Sequence, residues 1–199
     1  MNIYLQRKQQ IASSINKIRH IFRASIDIHS LEKAKQVMLS LSSRNDLFNW
    51  AEFPPPEGDD IFRTFLVHQD EDGGYALYVN SSLPGQQSPP HDHGGSWAIV
   101  AAVEGEELHR VYLRNPNIND ADTPLVSQVG EILVKPGQAI SMLPEGIHSI
   151  EMLTDEPLLH LHLYARGFEF QGERNEYDLA NNEVKRFKLE EVGVIEDVR

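Results

Sequence analysis

Residues 85–105 read GQQSPPHDHGGSWAIVAAVEG. His91 and His93 stand two apart, between a pair of prolines and a pair of glycines, and an apolar run follows them up to Gly105. On a strand, residues i and i+2 project from the same face, so the pair is expected to present two imidazoles on one side. Neutral imidazole is the commonest protein metal ligand, but an isolated His-x-His is a weak signal. A second stretch strengthens it. LPEGIHSI at 143–150 sets a Pro-x-Gly turn just before His148, at the start of another strand, where it is placed to complete a set of three nitrogens.

The surroundings read as β-structure. From residue 61 the apolar pattern has a period of two, in the runs IFRTFLV, YALYVNSS, WAIVAAV, LHRVYLR, EILVKP, AISML, HSIEML and PLLHLHLY. Turn formers separate them: DEDGG, LPGQQ, VEGEE, NPNINDAD, KPGQ, LPEG and LTDEP. Many short strands with no helices between them indicate a sandwich or barrel. A last strand or tail is expected around VKRFKL, in an otherwise polar C-terminal stretch. Before residue 54 the period is helical. Ile11, Ile15, Ile18 and Phe22 share one face, and a second helix is expected to start at Ser30 as its cap, with Leu31, Ala34, Val37, Met38 and Leu41 inward. PPPEGDD at 54–60 cannot continue a helix. The expected organisation is a helical segment over 1–53 packed on a barrel over 54–199, together one structural domain.

The 199 residues suffice for a core. Eighteen basic and thirty acidic residues give a net charge of −12, which argues against nucleic-acid binding. With no cysteine there is no disulfide, zinc ribbon or cysteine nucleophile. No apolar run is long enough to cross a bilayer, so no membrane partner is expected, and the expected location is cytoplasmic. Residues 1–26 carry five basic residues and no acid. Such a start suits a transit peptide, but its smooth continuation into a second helix favours a basic helical face lying on an otherwise acidic domain.

The histidine spacing resembles the cupin superfamily. Its first motif is met by Gly85, five residues, His91-x-His93, four residues, Ala98, six residues and Gly105; its second by Gly137, Pro144, Gly146 and His148. The resemblance implies a mostly β double-stranded β-helix, a jelly-roll barrel with N-terminal helices, holding a metal on His91, His93 and His148. The superfamily's glutamate falls at Ala98, so the carboxylate ligand is missing. A three-histidine cupin without that glutamate is similar to the thiol dioxygenases, the cysteine dioxygenase-like family. That implies Fe(II), O₂ and a small thiol substrate, cysteine or 3-mercaptopropionate in type.

In LLHLHLY at 158–164, His160, His162 and Tyr164 share one face. Carried over from the family, Tyr164 stands near the metal and His162 orients it, while His160 replaces the family's usual serine. Arg63, on an early strand, takes the role of the carboxylate clamp; its alternative is an exposed strand arginine. Without cysteine, the cross-link some family members carry to the tyrosine is impossible. His160 and His162 lack the glycine spacing and the Pro-x-Gly turn, so roles beside the metal are expected. His20, His29, His68 and His109 read as surface or partly buried. Asp92 should point away from the metal, and Trp97 suits pocket wall and core equally. Gly94-Gly95 suggests a bulge that turns position 98 inward. Two alternatives to the dioxygenase remain: a metal-binding cupin without turnover, and a zinc or manganese cupin enzyme.

Overall fold

An apolar stripe at three- and four-residue spacing makes the first helix, α1 (Ile3–Ile21), bury one side. Ile11, Ile15 and Ile18 are wholly buried there, and Phe22 follows at the C-cap. The chain is seen in a computed structural model that describes residues 2–116, 123–189 and 194–196. The second helix, α2 (Ile28–Ser42), begins earlier than the sequence suggests, because Asp27 and not Ser30 is its cap. The Ser30 amide donates to Asp27 Oδ1 and the Asp27 amide donates to Ser30 Oγ, each at 2.9 Å. Two orphan donors of the helix end are thus satisfied reciprocally. The Ser25 hydroxyl and Ser30 hold the Asp27 carboxyl down at about 2.

Among the described residues, twelve strands form two six-stranded sheets. In chain order the first nine are β1 (Phe62–Gln69), β2 (Ala76–Ser82), β3 (Gln87–His91), β4 (Ala98–Glu104), β5 (Glu107–Arg114), β6 (Val126–Val134), β7 (Ala139–Met142), β8 (Ile147–Met152) and β9 (Leu158–Tyr164). The last three are β10 (Arg174–Asp178), β11 (Glu183–Phe187) and β12 (Val194–Glu196). The sheet orders are β12-β1-β2-β9-β4-β7 and β11-β10-β3-β8-β5-β6. β9 lies between β2 and β4, and β8 between β3 and β5, so the chain winds twice around one interior. This is the double-stranded β-helix of the cupin type, with helices added at its N-terminal side.

Alternation divides the first sheet cleanly. Phe65, Leu77, Val79, Ile99, Ala101, Leu159, Leu161 and Leu163 face the helices and share one core with Ile11, Ile15, Leu31 and Met38. Trp97 belongs to this core, packed edge-on against Phe22 and Tyr75 at 5.0 and 5.1 Å, and so is not a pocket wall. Ala76, Tyr78, Ala98, Val100, Ala102 and Tyr164 point the other way, into the barrel. Basic residues of α1 do meet acids of the domain: Arg19 pairs with Asp70, and buried Arg7 pairs with Glu52 at 3.0 Å while lying over the Phe53 ring.

Three strands escape the periodic reading. β3 passes through Pro89 and Pro90, which cannot donate to a ladder; its register with β8 accordingly slips between Ser88 and His91. β10 is largely polar, and β12 is too short to show a pattern.

Candidate metal centre

His91 ends β3, and its pairing partner across the sheet is His148 on β8. The slip at the two prolines leaves the Pro89 carbonyl free, and it accepts a hydrogen bond from His91 Nδ1 at 2.9 Å. That bond fixes the ring and leaves Nε2 with its lone pair. His93 lies past the strand end, in a turn where Gly94 and Gly95 have φ of +58° and +78°. The two histidines therefore do not share one strand face. A turn, rather than a bulge in the strand, brings His93 round, and Ala98 does face the interior as the motif requires.

Asp92 holds this turn from behind. Its carboxylate accepts from Arg114 Nη2 at 2.6 Å, Asn175 Nδ2 at 2.7 Å and the Gly94 amide at 3.1 Å. It points away from the histidines, as alternation predicts. Gly94 also crosses Gly172, whose amide donates to the Gly94 carbonyl at 2.9 Å. A Cβ on Gly94 would stand 2.3 Å from the Gly172 oxygen, so the turn admits no side chain.

His91, His93 and His148 each offer a nitrogen within 4.8 Å of the others. Burial lowers all three from their ordinary range, His91 to about 4 and the other two further. His93 Nδ1 and His148 Nε2 are buried without a hydrogen-bond partner. Neutral imidazoles with orphaned lone pairs, converging on one point, fit a metal ion. Ala98 brings no carboxylate to it.

His148 is oriented by a chain that the sequence reading missed. His148 Nδ1 lies 2.8 Å from His109 Nδ1, and His109 Nε2 lies 2.8 Å from Glu107 Oε1. Glu107 also takes His160 Nδ1, at 3.0 Å. An ionised Glu107 accepts from His109 Nε2, so His109 Nδ1 accepts from His148 Nδ1–H. That leaves His148 Nε2 unprotonated, the tautomer a metal needs. Desolvation alone would raise the Glu107 carboxyl, but His160 and His109 hold it well below the usual carboxylate range. His109, expected near the surface, is fully buried. Its signal was the alternation of Glu107, His109 and Val111 on one face, which in sequence looks like a solvent face.

Tyr164 packs against the His93 ring at 5.5 Å, and its hydroxyl lies 3.3 Å from His162 Nδ1. Burial raises the Tyr164 phenol and lowers His162 to about 3. Arg63 is not part of this group. It pairs in register with Ser81, on the face of β1 that carries Phe65 toward the helices, while Thr64 and Leu66 turn inward. The buried cation beside Tyr164 is instead Arg174 on β10, 6% exposed. Its guanidinium lies 5.8 Å from the centre of the Tyr164 ring and 5.6 Å from that of Phe168, and donates twice to Gln171 Oε1. No periodic signal marks the polar run ERNEYD in which it sits.

No protein-family model matches the chain, and no curated protein matches it in sequence. Solved structures do. A protein from Thermus thermophilus is 22% identical, over 58% of this chain and 93% of its own, with a TM-score of 0.44. A protein with a double-stranded β-helix domain from Klebsiella pneumoniae is 18% identical, over 65% and 89%, with a TM-score of 0.45. A DMSP lyase from Ruegeria pomeroyi is 16% identical, over 64% and 58%, with a TM-score of 0.42. These are likenesses of fold alone.

Proposed function

We propose that the chain is a mononuclear Fe(II) thiol dioxygenase, acting on a small thiol that carries a carboxylate. The observation that carries this reading is a three-imidazole centre with no carboxylate ligand, beside a buried guanidinium and a buried phenol. Three neutral ligands leave the charge of a divalent metal uncompensated, which favours an anionic donor such as a thiolate from the substrate.

His91, His93 and His148 would hold the iron, which when bound supplies coordination of the thiolate sulfur and activation of O₂. The overall change is RS⁻ + O₂ → RSO₂⁻. Both oxygen atoms pass to sulfur, sulfur loses four electrons and O₂ gains them, so no further reductant is required. Arg174 pairs with the substrate carboxylate in place of Arg63, fixing the thiol end toward the histidines. Tyr164 keeps its proton, because burial raises its phenol, and donates a hydrogen bond beside the histidines. His162 orients that hydroxyl.

The test is O₂ uptake by anaerobically Fe(II)-loaded protein, given cysteine, 3-mercaptopropionate or cysteamine. One sulfinate per O₂ with a carboxylate-bearing thiol is expected, and His148→Ala should lose both the bound iron and the uptake. Iron binding without uptake on any thiol would favour a binding protein. Zinc in every preparation, with no gain from Fe(II), would favour a zinc enzyme.

A further inference from the structure

The barrel buries a carboxylate that the proposed reaction does not touch. Glu107 opens β5 and is only 4% exposed. Its register partner Val134 is apolar, as are Val100, Ala102 and Ile140 of the same interior. An ionised group in such a place is costly to desolvate, and an apolar side chain of similar volume would serve the core as well. We propose that Glu107, acting through His109, is a positioning residue for the metal centre: from outside the ligand set it supplies the negative charge that Ala98 does not bring. The inference rests on the three-histidine metal reading and takes it one step further.

The chain of bonds runs one way. An ionised carboxylate only accepts, so His109 donates from Nε2 to Glu107 Oε1 at 2.8 Å and accepts at Nδ1 from His148 Nδ1, also at 2.8 Å. The His109 and His148 rings lie within 15° of parallel. Each donor is polarised by the acceptor behind it, and the chain ends on His148 Nε2, a buried atom with no partner. A carboxylate behind a ligating imidazole raises the basicity of that ligand. Delivered through His109, its charge occupies no coordination position, and those for the thiolate and O₂ stay free.

His160 belongs to the same relay. It stands where the resemblance has a serine, yet its Nδ1 bonds Glu107 Oε1 at 3.0 Å, while the Tyr164 hydroxyl is met by His162. His109 and His160 thus reach one and the same oxygen, which fixes the carboxylate and keeps it ionised. The buried carboxylate of Asp92, by contrast, bonds Arg114, Asn175 and the Gly94 amide behind the turn, and so holds backbone instead of an imidazole.

The experiment uses the full chain, stripped by chelator. Nitrogen–proton NMR of the histidine rings reads their tautomers in the metal-free protein, where His148 is expected protonated on Nδ1 alone and His109 on Nε2 alone. Co²⁺ is then titrated without thiol or O₂ and followed by its visible absorption against a competing chelator. Glu107→Gln keeps the shape and removes the charge; His109→Phe keeps a ring and removes both nitrogens. Each should leave His148 a mixture of tautomers and weaken Co²⁺ binding about 10–100-fold. Val134→Ala truncates the core beside Glu107 and should bind Co²⁺ like the unaltered chain. Should neither relay variant fold, the His148 tautomer in the unaltered protein still decides. Equal Co²⁺ affinity in the relay variants, an equal weakening by Val134→Ala, or His148 protonated on Nε2 in the unaltered metal-free protein overturns the relay and leaves the metal reading standing. No Co²⁺ bound by the unaltered chain overturns the metal reading, and the relay with it.

Discussion

The chain contains His-x-His twice, and the two copies are built in opposite ways. In the first, His91 closes a strand and His93 sits in a glycine turn, so the rings are swung together by irregular backbone. In the second, His160 and His162 lie on a regular strand that is buried along its whole length. The first pair is held by a carbonyl, a turn and an aspartate behind it. The second is held by a buried carboxylate in front of it. The same three-letter pattern thus yields a neutral cluster of imidazoles in one place and a charged interior network in the other. Backbone register decides which.

Removing Glu107 strains this contrast most severely. Glu107→Ala leaves His109 and His160 without their acceptor in a dry interior, and a loss of ~3–5 kcal/mol in urea unfolding is expected. His91→Ala, at the edge of the interior, should lose metal while leaving stability within about 1 kcal/mol. Equal losses from both would refute the contrast.

Arg174→Ala probes the assignment of the first site. It should reduce kcat/KM for a carboxylate-bearing thiol about 100-fold, close to 3 kcal/mol of lost charge-assisted bonding, with a small effect on cysteamine. Arg63→Ala should leave both substrates unchanged, and the pair is read from steady-state O₂ uptake.

Gly94→Ala tests the irregular backbone on which the first pair depends. Its positive φ and the Gly172 oxygen at 2.3 Å from the new Cβ predict a loss of about 1–3 kcal/mol by thermal melting. Weaker metal binding should accompany it. The corresponding strand position beside the second pair, Leu161→Val, should cost about 1 kcal/mol and leave the triad untouched.

Acid provides the mildest perturbation. His91 at about 4 and His162 at about 3 are lowered on folding, so the unfolded chain binds more protons than the folded one between those values and about 6.5. Metal-free protein should therefore hold this stability above pH 6.5 and lose it progressively as pH falls toward 4 and then 3. Urea midpoints measured across that range would reveal the slope; a flat profile would contradict burial of the neutral rings.

Much of this was legible in the sequence because it is local. A period of two over IFRTFLV and WAIVAAV specifies strands whatever their partners, and the glycines and prolines around His91 and His148 specify turns. The interval from Gly85 through His93 to Gly105 carried the resemblance that named the barrel. Asp27 could have been read as the cap of α2, since the capping box needs only Asp27 and Ser30. β3 was obscured because Pro89 and Pro90 argue against a strand, and they are tolerated only where the register slips.

Short-range spacing was enough for the strands, the helical stripe of Ile11, Ile15 and Ile18, and the three histidines of the first site. It could not tell which cation faces Tyr164, or which carboxylate stands behind His148; the folded sheets settle both. Arg174 lies on β10 and Arg63 on β1; local sequence makes both strand arginines, and the sheet register alone turns one inward and the other toward the helices. Glu107 and His109 alternate like a water-facing strand, and become an interior network because β5 is laid against β8 with its polar face inward. Burial is a property of strands far apart in the chain, and no window along the sequence contains it.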